Sequence, residues 1–305
     1  MSVLVTGASG FLGCPLVERL TEAGHRVIAV GRGTIPKRLS TITNLEWVER
    51  DIAKEGLTPD VVSSADVVFH LAGAKEFNEE YDECLFLEAN EKLTIRLMQA
   101  CSRFKKKVIF ASSQMVYGDP DHMSVTEEFP LLGMNSTAYA CSKINTENWL
   151  RCMQKNNGGS IISLRFCGFV DGGGGIDYVI DRALRDEPIE LFSKGMVYRD
   201  YLTIDKALEA FLLAASYHAD SGFEAFNIGS GNAVSAYELA KLICAELGSR
   251  SEIVLSDRRA PRANFVFNLE KAVKHLGFVP EDLRSSISAY AMKRKSLFIK
   301  VGLNG

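Results

Sequence analysis

Residues 3–13 read Val3-Leu4-Val5-Thr6-Gly7-Ala8-Ser9-Gly10-Phe11-Leu12-Gly13, an apolar run that gives way to three glycines spaced three apart. The run has the make-up of a buried strand, and the stretch from Phe11 to Ala23 reads as a helix. A strand that enters a glycine-rich turn and leaves it as a helix can cradle the pyrophosphate of a dinucleotide. Gly7 allows the sharp turn, Gly10 lets backbone N–H groups approach the phosphates, and Gly13 lets the helix pack close to the strand. The helix N-terminus adds its partial positive charge. Ordinary turns also collect glycine, so the triplet acquires weight only from its place directly after the first strand.

Further strand-like runs at 27–30, 67–71, 108–112 and 161–165 alternate with helical patterns near 87–104 and 137–155. That is the βαβ rhythm of a parallel sheet, and the expected fold is α/β, a Rossmann-type doubly wound sheet. Past residue 170 the pattern changes. Asp171 and the four glycines at 172–175 punctuate the chain, a helix is expected from about Tyr178 to Asp186, and Pro188 marks a turn. Tyr201-Leu202-Thr203-Ile204-Asp205 is expected to open a long apolar helix to Tyr217, and Phe223 to Gly229 reads as another sheet strand. The expected organisation is a dinucleotide-binding domain over 1–170, to which 199–229 returns. A smaller C-terminal substrate lobe, built from 171–198 and 230–305, interleaves with it.

Composition narrows the function classes. The 305 residues are 47% hydrophobic and 24% charged, with a formal net charge of −3, so a large core is affordable and nucleic acid is not an expected partner. The one basic block, Lys105-Lys106-Lys107, reads as a solvated helix end. Met1-Ser2 runs straight into the first strand, and no apolar stretch approaches the roughly 18 residues of a membrane span, so a cytoplasmic protein without membrane contact is expected. The 7 cysteines form no Cys-x-x-Cys pair and the 5 histidines are scattered, which points to reduced thiols and no metal.

The chemistry centres on Tyr139-Ala140-Cys141-Ser142-Lys143. On a helix, a spacing of four puts the phenol and the ammonium on one face. A phenol, with an ordinary pKa of about 10, becomes a working proton shuttle when a cation favours its phenolate. The same spacing also arises from an inward aromatic beside a snorkelling lysine. Ser113 stands where the strand at 108–112 runs out at the C-terminal edge of the sheet, the edge at which ligands bind. It could hold a substrate oxygen against Tyr139, or serve as a strand-end turn hydroxyl.

These stretches, with Asp51-Ile52, His70-Leu71-Ala72-Gly73, Asn90, Ser112 to Gly118, Leu164-Arg165, Arg199 to Ala207 and Phe226 to Gly231, resemble the extended short-chain dehydrogenase/reductases. That group is also called the NAD-dependent epimerase/dehydratase family, and its members mostly remodel nucleotide-sugars. The resemblance spans nearly the whole chain. It implies that Tyr139 is the general acid/base, that Lys143 binds the nicotinamide ribose and lowers the tyrosine pKa, and that Ser113 orients the substrate oxygen. It further implies cofactor contacts from Gly7, Ser9, Gly10, Phe11, Leu12 and Gly13, from Asp51 and Ile52 near the adenine, and from Leu71, Ala72, Gly73, Asn90, Ser112 and Phe166.

The second strand bears on which dinucleotide is used. NAD enzymes usually end it in a carboxylate for the ribose hydroxyls, whereas here Val27-Ile28-Ala29-Val30 is followed by Gly31 and Arg32, with Lys37 and Arg38 close behind. That charge pattern favours NADP(H) over NAD(H) and makes Arg32 a candidate contact. Should Arg32 instead cap its loop or stack on adenine, NAD stays usable.

Family members that dehydrate a sugar carry an acidic pair after the catalytic Ser/Thr, where this chain has Gln114-Met115. Neither side chain can do acid/base work. The expectation is hydride transfer at the C4 carbon of a nucleotide-diphosphate sugar, as a 4-epimerase or an NADPH-dependent 4-ketoreductase. Reduction of a non-sugar carbonyl and a non-catalytic NADP(H)-binding sensor stand as alternatives. Substrate contacts are expected from Ser113, Gln114, Tyr139, Gly168, Arg199 and Arg258. Gly168 stands where relatives often have an Asn, and Arg199 could instead pair with Asp200 or Asp205. Leu93, Leu97, Cys101, Ile144 and Leu150 could form the four-helix seam of a homodimer, or face the sheet as core.

Overall fold

The structure, a computed structural model, describes residues 1–75, 83–131, 137–218 and 222–302. Seven strands form the central sheet: β1 (Ser2–Thr6), β2 (Arg26–Gly31), β3 (Leu45–Glu49), β4 (Val67–His70), β5 (Lys107–Ser113), β6 (Ser160–Phe166) and β7 (Gly222–Ile228). They lie in the order β7-β6-β5-β4-β1-β2-β3, every pairing parallel. The direction of winding reverses between β1 and β4, so the crevice for a ligand lies beyond Thr6 and His70. The register sets these two residues side by side and places Ser113 opposite Phe166.

Alternate strand residues face opposite layers, as the pleat requires. Val3, Val5 and Ile109 pack with Leu16, Leu20 and Phe211 on one face, and Leu4, Val68 and Phe110 pack with Leu93, Leu97, Cys101 and Leu150 on the other. Helix α1 (Gly13–Glu22) belongs to the first layer, and α2 (Leu93–Ser102) and α3 (Ala138–Asn157) to the second. Leu93, Leu97, Cys101 and Leu150 are therefore sheet-facing core, while Ile144 packs against the opposite cluster.

Beyond residue 170, α4 (Gly175–Leu184) joins α5 (Ile204–Ser216), α6 (Ala236–Leu247) and α7 (Leu283–Gly302). A separate core of Ile176, Ile180, Ile243, Leu247 and Ile287 holds α4, α6 and α7 together, whereas α5 contributes Phe211 to the main core. Short strands stitch these parts: Tyr198–Arg199 pairs with Val234–Ser235 and Phe265–Phe267.

Three local expectations change. Tyr201-Leu202 is a strand paired with Gly168–Phe169, and the helix starts only after Thr203, whose hydroxyl caps the Lys206 N–H at 3.3 Å. The helix expected over 87–104 opens with a π-helical turn, Leu87–Lys92, before α2. The edge strand β3 was not among the expected strands, because Leu45-Glu46-Trp47-Val48-Glu49 mixes charge into its alternation and is only partly buried.

Candidate functional site

The glycine turn closes tightly on itself. Gly7 has φ +70°, and the Gly10 N–H donates to the Gly7 carbonyl at 2.9 Å. A Cβ on Gly13 would fall 2.0 Å from that carbonyl oxygen, and one on Gly7 would fall 2.6 Å from the Ala72 nitrogen. No side-chain hydrogen bond caps the N-terminus of α1 at Leu12, and its first turn carries no acidic residue; the Cys14 N–H is taken by the Gly10 carbonyl at 3.0 Å and Pro15 has none, which leaves the Leu12 and Gly13 N–H groups to face an anion. Ser9, Gly10 and Phe11 are exposed around it. The Phe11 ring meets Phe169 edge-on at 5.3 Å, and the Lys75 ammonium lies 4.9 Å from its centre.

The loop after β4 is fixed from below. His70 is buried, bonded to Thr6 Oγ1 at 2.9 Å and to Thr94 Oγ1 at 2.8 Å, and burial together with the Lys143 charge pushes its pKa down to about 3. Asn90, brought inward by the π turn, accepts from the Ala74 N–H at 2.7 Å and donates to Ser142 Oγ at 2.7 Å. A Cβ on Gly73 would meet Asn90 Oδ1 at 2.7 Å and Lys143 Nζ at 3.7 Å. The loop backbone thus lies against Gly7 at Leu71 and Ala72, and against Asn90 and Lys143 at Gly73.

Tyr139 and Lys143 both lie on α3, which Thr137 caps by accepting from the Ala140 N–H at 3.3 Å. The Lys143 ammonium stands 5.9 Å from the Tyr139 ring centre and 4.7 Å from that of Phe110, and it donates to the Ala111 carbonyl at 2.9 Å. Phe86 flanks the tyrosine with ring centres 6.1 Å apart. Ser113 ends β5 two residues past Ala111, and its hydroxyl accepts from the Met115 N–H at 3.2 Å, capping the short helix Gln114–Tyr117. Burial pushes the Lys143 pKa down to about 8, with the carboxylate of Glu147 acting in the opposite direction. If the ammonium is required, kcat/KM should fall on the alkaline side with an apparent pKa near about 8, because that ratio reports the free enzyme. A rate profile across pH, flat through the region of about 8, would contradict this.

Behind the site lies a buried polar network centred on Glu147, which joins Ser112, Tyr117 and Arg165 from the stretches named above. Glu147 accepts from Ser112 Oγ at 2.7 Å and Ser163 Oγ at 2.9 Å, and from Arg165 through Nε at 3.0 Å and Nη2 at 2.6 Å. Arg165 also donates to Tyr117 Oη at 2.7 Å, and Tyr117 donates to Asn227 Oδ1 at 2.7 Å. Burial pushes the Glu147 carboxyl up, but Arg165 and the two serines outweigh it and hold it below the usual carboxylate value. The signal available in the sequence was the spacing Tyr139, Lys143, Glu147, three residues at intervals of four.

The cofactor-end residues spread along the sheet edge. Asp51 caps a short helix, accepting from the Ala53 and Lys54 N–H groups at 3.1 and 3.3 Å, and Ile52 is buried beside it. Arg32 is exposed, while Arg38 is tied to Glu18 by two hydrogen bonds. At Gly31 a Cβ would fall 2.5 Å from Trp47 Cζ2, so the indole occupies the space a carboxylate-bearing side chain would need. Ser112 is buried against Glu147, and the Phe166 ring packs against Phe211 at 5.2 Å.

On the opposite wall, Arg199 donates to the Ala263 carbonyl at 2.9 Å and lies 3.8 Å from Asp119, with 17% of its side chain exposed. Burial pulls its pKa down, and Arg262 adds its like charge. Arg258 does not join them: its side chain is 73% exposed and faces Glu190 at 3.8 Å. Neither aspartate considered for Arg199 pairs with it. Asp200 instead gathers Ser230, Gly231 and Phe267, and Asp205 binds Arg19 at 2.9 Å. A Cβ on Gly168 would meet the Tyr201 ring at 2.9 Å, so this tyrosine fills the place of the asparagine side chain expected there. Gln114 Oε1 is buried without a hydrogen-bond partner among the described residues.

Residues 3–229 match the model of the NAD dependent epimerase/dehydratase family. The chain belongs to that family. A putative UDP-glucose 4-epimerase of Methanocaldococcus jannaschii is 26% identical over 297 residues, covering 93% of this chain and 95% of the relative. The dTDP-4-dehydro-6-deoxyglucose reductase of Escherichia coli is 26% identical over 297 residues, covering 91% and 92%. The solved structure of MoeE5 in complex with UDP-glucose and NAD has a TM-score of 0.82 at 29% identity, covering 97% of this chain and 100% of that one.

The residues present fit the family's dinucleotide. The N-terminus of α1 without a side-chain cap, the close approach of Gly13 to Gly7, and a loop that runs from Gly7 at Ala72 to Lys143 at Gly73 suit a pyrophosphate and a ribose at the switch point. Among the described residues no group of three or more metal-ligating side chains occurs, and no helix is long and apolar enough to cross a membrane.

Proposed function

We propose that this family member is a nucleotide-sugar 4-epimerase, with a UDP-hexose as the first substrate to test. One observation carries the reading: a tyrosine and a buried lysine share one face of α3, and the lysine bonds Ala111, two residues before the serine that ends β5. The bound dinucleotide supplies a hydride acceptor and donor. Ser113 holds the C4 oxygen, Tyr139 takes its proton and returns it, and Lys143 keeps the phenol acidic enough to do so while binding the ribose. Arg199 holds the diphosphate, with Arg262 beside it rather than Arg258. Residues 1–170 and 199–229 serve the dinucleotide, apart from the substrate contacts Ser113, Tyr139 and Arg199, and 171–198 and 230–305 serve the sugar. Two cytoplasmic copies pair through the outward faces of α2 and α3, where Trp149 is exposed.

For the cofactor we infer NADP(H), because Trp47 keeps a carboxylate away from the end of β2 and Arg32 stands exposed next to it. The same feature supports a second reading, a 4-ketoreductase that consumes NADPH. One experiment separates them. Purified protein with UDP-glucose and catalytic dinucleotide should form UDP-galactose with no net change at the reduced-nicotinamide band. Steady loss of that band with a nucleotide 4-ketosugar and NADPH, without epimer formation, would establish the reductase instead. Activity with neither substrate would remove both readings.

A further inference from the structure

We propose, resting on the function proposed above, that Glu147 is a positioning residue for the proton relay: its buried carboxylate locks the helix bearing Tyr139 and Lys143 to the strand ends bearing Ser113. The geometry is specific. Glu147 stands one helical turn after Lys143 and two after Tyr139, so all three lie on the same face of α3. One carboxylate oxygen accepts from Ser112 on β5, from Ser163 on β6 and from Arg165 Nε, also on β6. Ser112 immediately precedes Ser113, and Ala111, the residue before it, takes the ammonium of Lys143. A single side chain thus ties α3, which bears the tyrosine and the lysine, to β5, which bears the serine, and to β6 beside it.

The same carboxylate acts on Lys143 through charge. The titratable and charged groups around the pair are Arg165, Arg151 and Tyr117 near Glu147, with His70 and Tyr139 near Lys143. His70, driven to a pKa of about 3, stays neutral at working pH, and Glu147 holds Arg165 as a cation. Glu147 is the anion that raises the lysine pKa against its burial. Without it, the ammonium would lose its proton at a lower pH and the ribose-binding charge would go with it.

The test reads dinucleotide affinity by calorimetry from about pH 6 to about pH 10, which needs no sugar substrate and so stands apart from the choice of reaction. In the wild type, affinity should weaken as Lys143 deprotonates near about 8. In Glu147→Gln that transition should move down by about one pH unit or more. Because Glu147→Gln leaves Arg165 buried without its ionic partner, the double variant Glu147→Gln/Arg165→Gln is measured alongside and should move in the same direction by less, since losing a nearby cation offsets part of the lost anion. A transition that stays within about 0.2 unit of wild type in a folded variant overturns the proposal. Should neither variant fold, Glu147→Asp, which keeps both charges but withdraws from Ser112, is read for turnover. It should lower kcat about tenfold with KM nearly unchanged, and an unchanged kcat overturns the proposal. A shifted affinity transition in a protein inactive on every nucleotide-sugar would retain the Glu147 assignment and reject the reaction alone.

Discussion

Tyr139→Phe should lower kcat by roughly 10²- to 10⁴-fold while leaving dinucleotide affinity within about twofold of wild type. The substitution removes one oxygen and keeps the ring, so the packing against Phe86, with ring centres 6.1 Å apart, persists. Lys143 keeps its bond to the Ala111 carbonyl at 2.9 Å, so the charge proposed to meet the ribose stays in place. What disappears is the group that accepts and returns the proton on the C4 oxygen. The loss should therefore fall on kcat at every pH, and the alkaline limb assigned to Lys143 should remain where residual activity can be followed. Steady-state kinetics with calorimetry on the same preparation check this. A variant that turns over normally would show that the phenol is packing alone, and one that loses dinucleotide binding would show that the ring belongs to the cofactor site.

The parts of this fold that were legible in the sequence are those where local chemistry and global topology agree. Val3-Leu4-Val5 is apolar on both faces because β1 is covered on both, and the glycines follow because α1 must return against it. The Tyr139 to Lys143 spacing was visible because it lies within one helix. What escaped depends on residues that meet only through the fold. Glu147 looks, in isolation, like a solvated charge, and its burial against Arg165, 18 residues on, shows only in the fold. Trp47 gave no sign of its reach to Gly31, because nothing in a single strand reports the neighbour's missing Cβ. Arg258 and Arg262 are alike by type, and only the fold decides that Arg262 adds its charge at Arg199 while Arg258 faces Glu190. Tyr201-Leu202 reads apolar enough for a helix, but its partner strand, Gly168–Phe169, lies 33 residues earlier in register.

Gly13→Ala should abolish measurable dinucleotide binding and lower the thermal midpoint by several degrees, although it adds a single methyl group. Elsewhere on a helix that exchange is stabilising, since alanine is the better helix former by about 1 kcal/mol. Here the new Cβ would lie 2.0 Å from the Gly7 oxygen and 2.8 Å from the Gly7 carbonyl carbon, both backbone atoms with no rotamer to escape into. Relief requires α1 to move away from β1 by more than an ångström. Leu16 and Leu20, fully buried on the underside of α1, would then lose their packing against Val3 and Val5. Overpacking and the resulting voids together cost about 3 kcal/mol. The same displacement turns the uncapped N–H groups of α1 away from the turn at Gly10, where the pyrophosphate is proposed to sit. Gly33→Ala is the matched control, because a Cβ there meets nothing within 4 Å and the residue is exposed just after β2. It should leave both affinity and midpoint unchanged. If Gly13→Ala bound the dinucleotide as wild type does, the phosphates could not be held by this helix end, and the cradle would have to be sought elsewhere along the sheet edge.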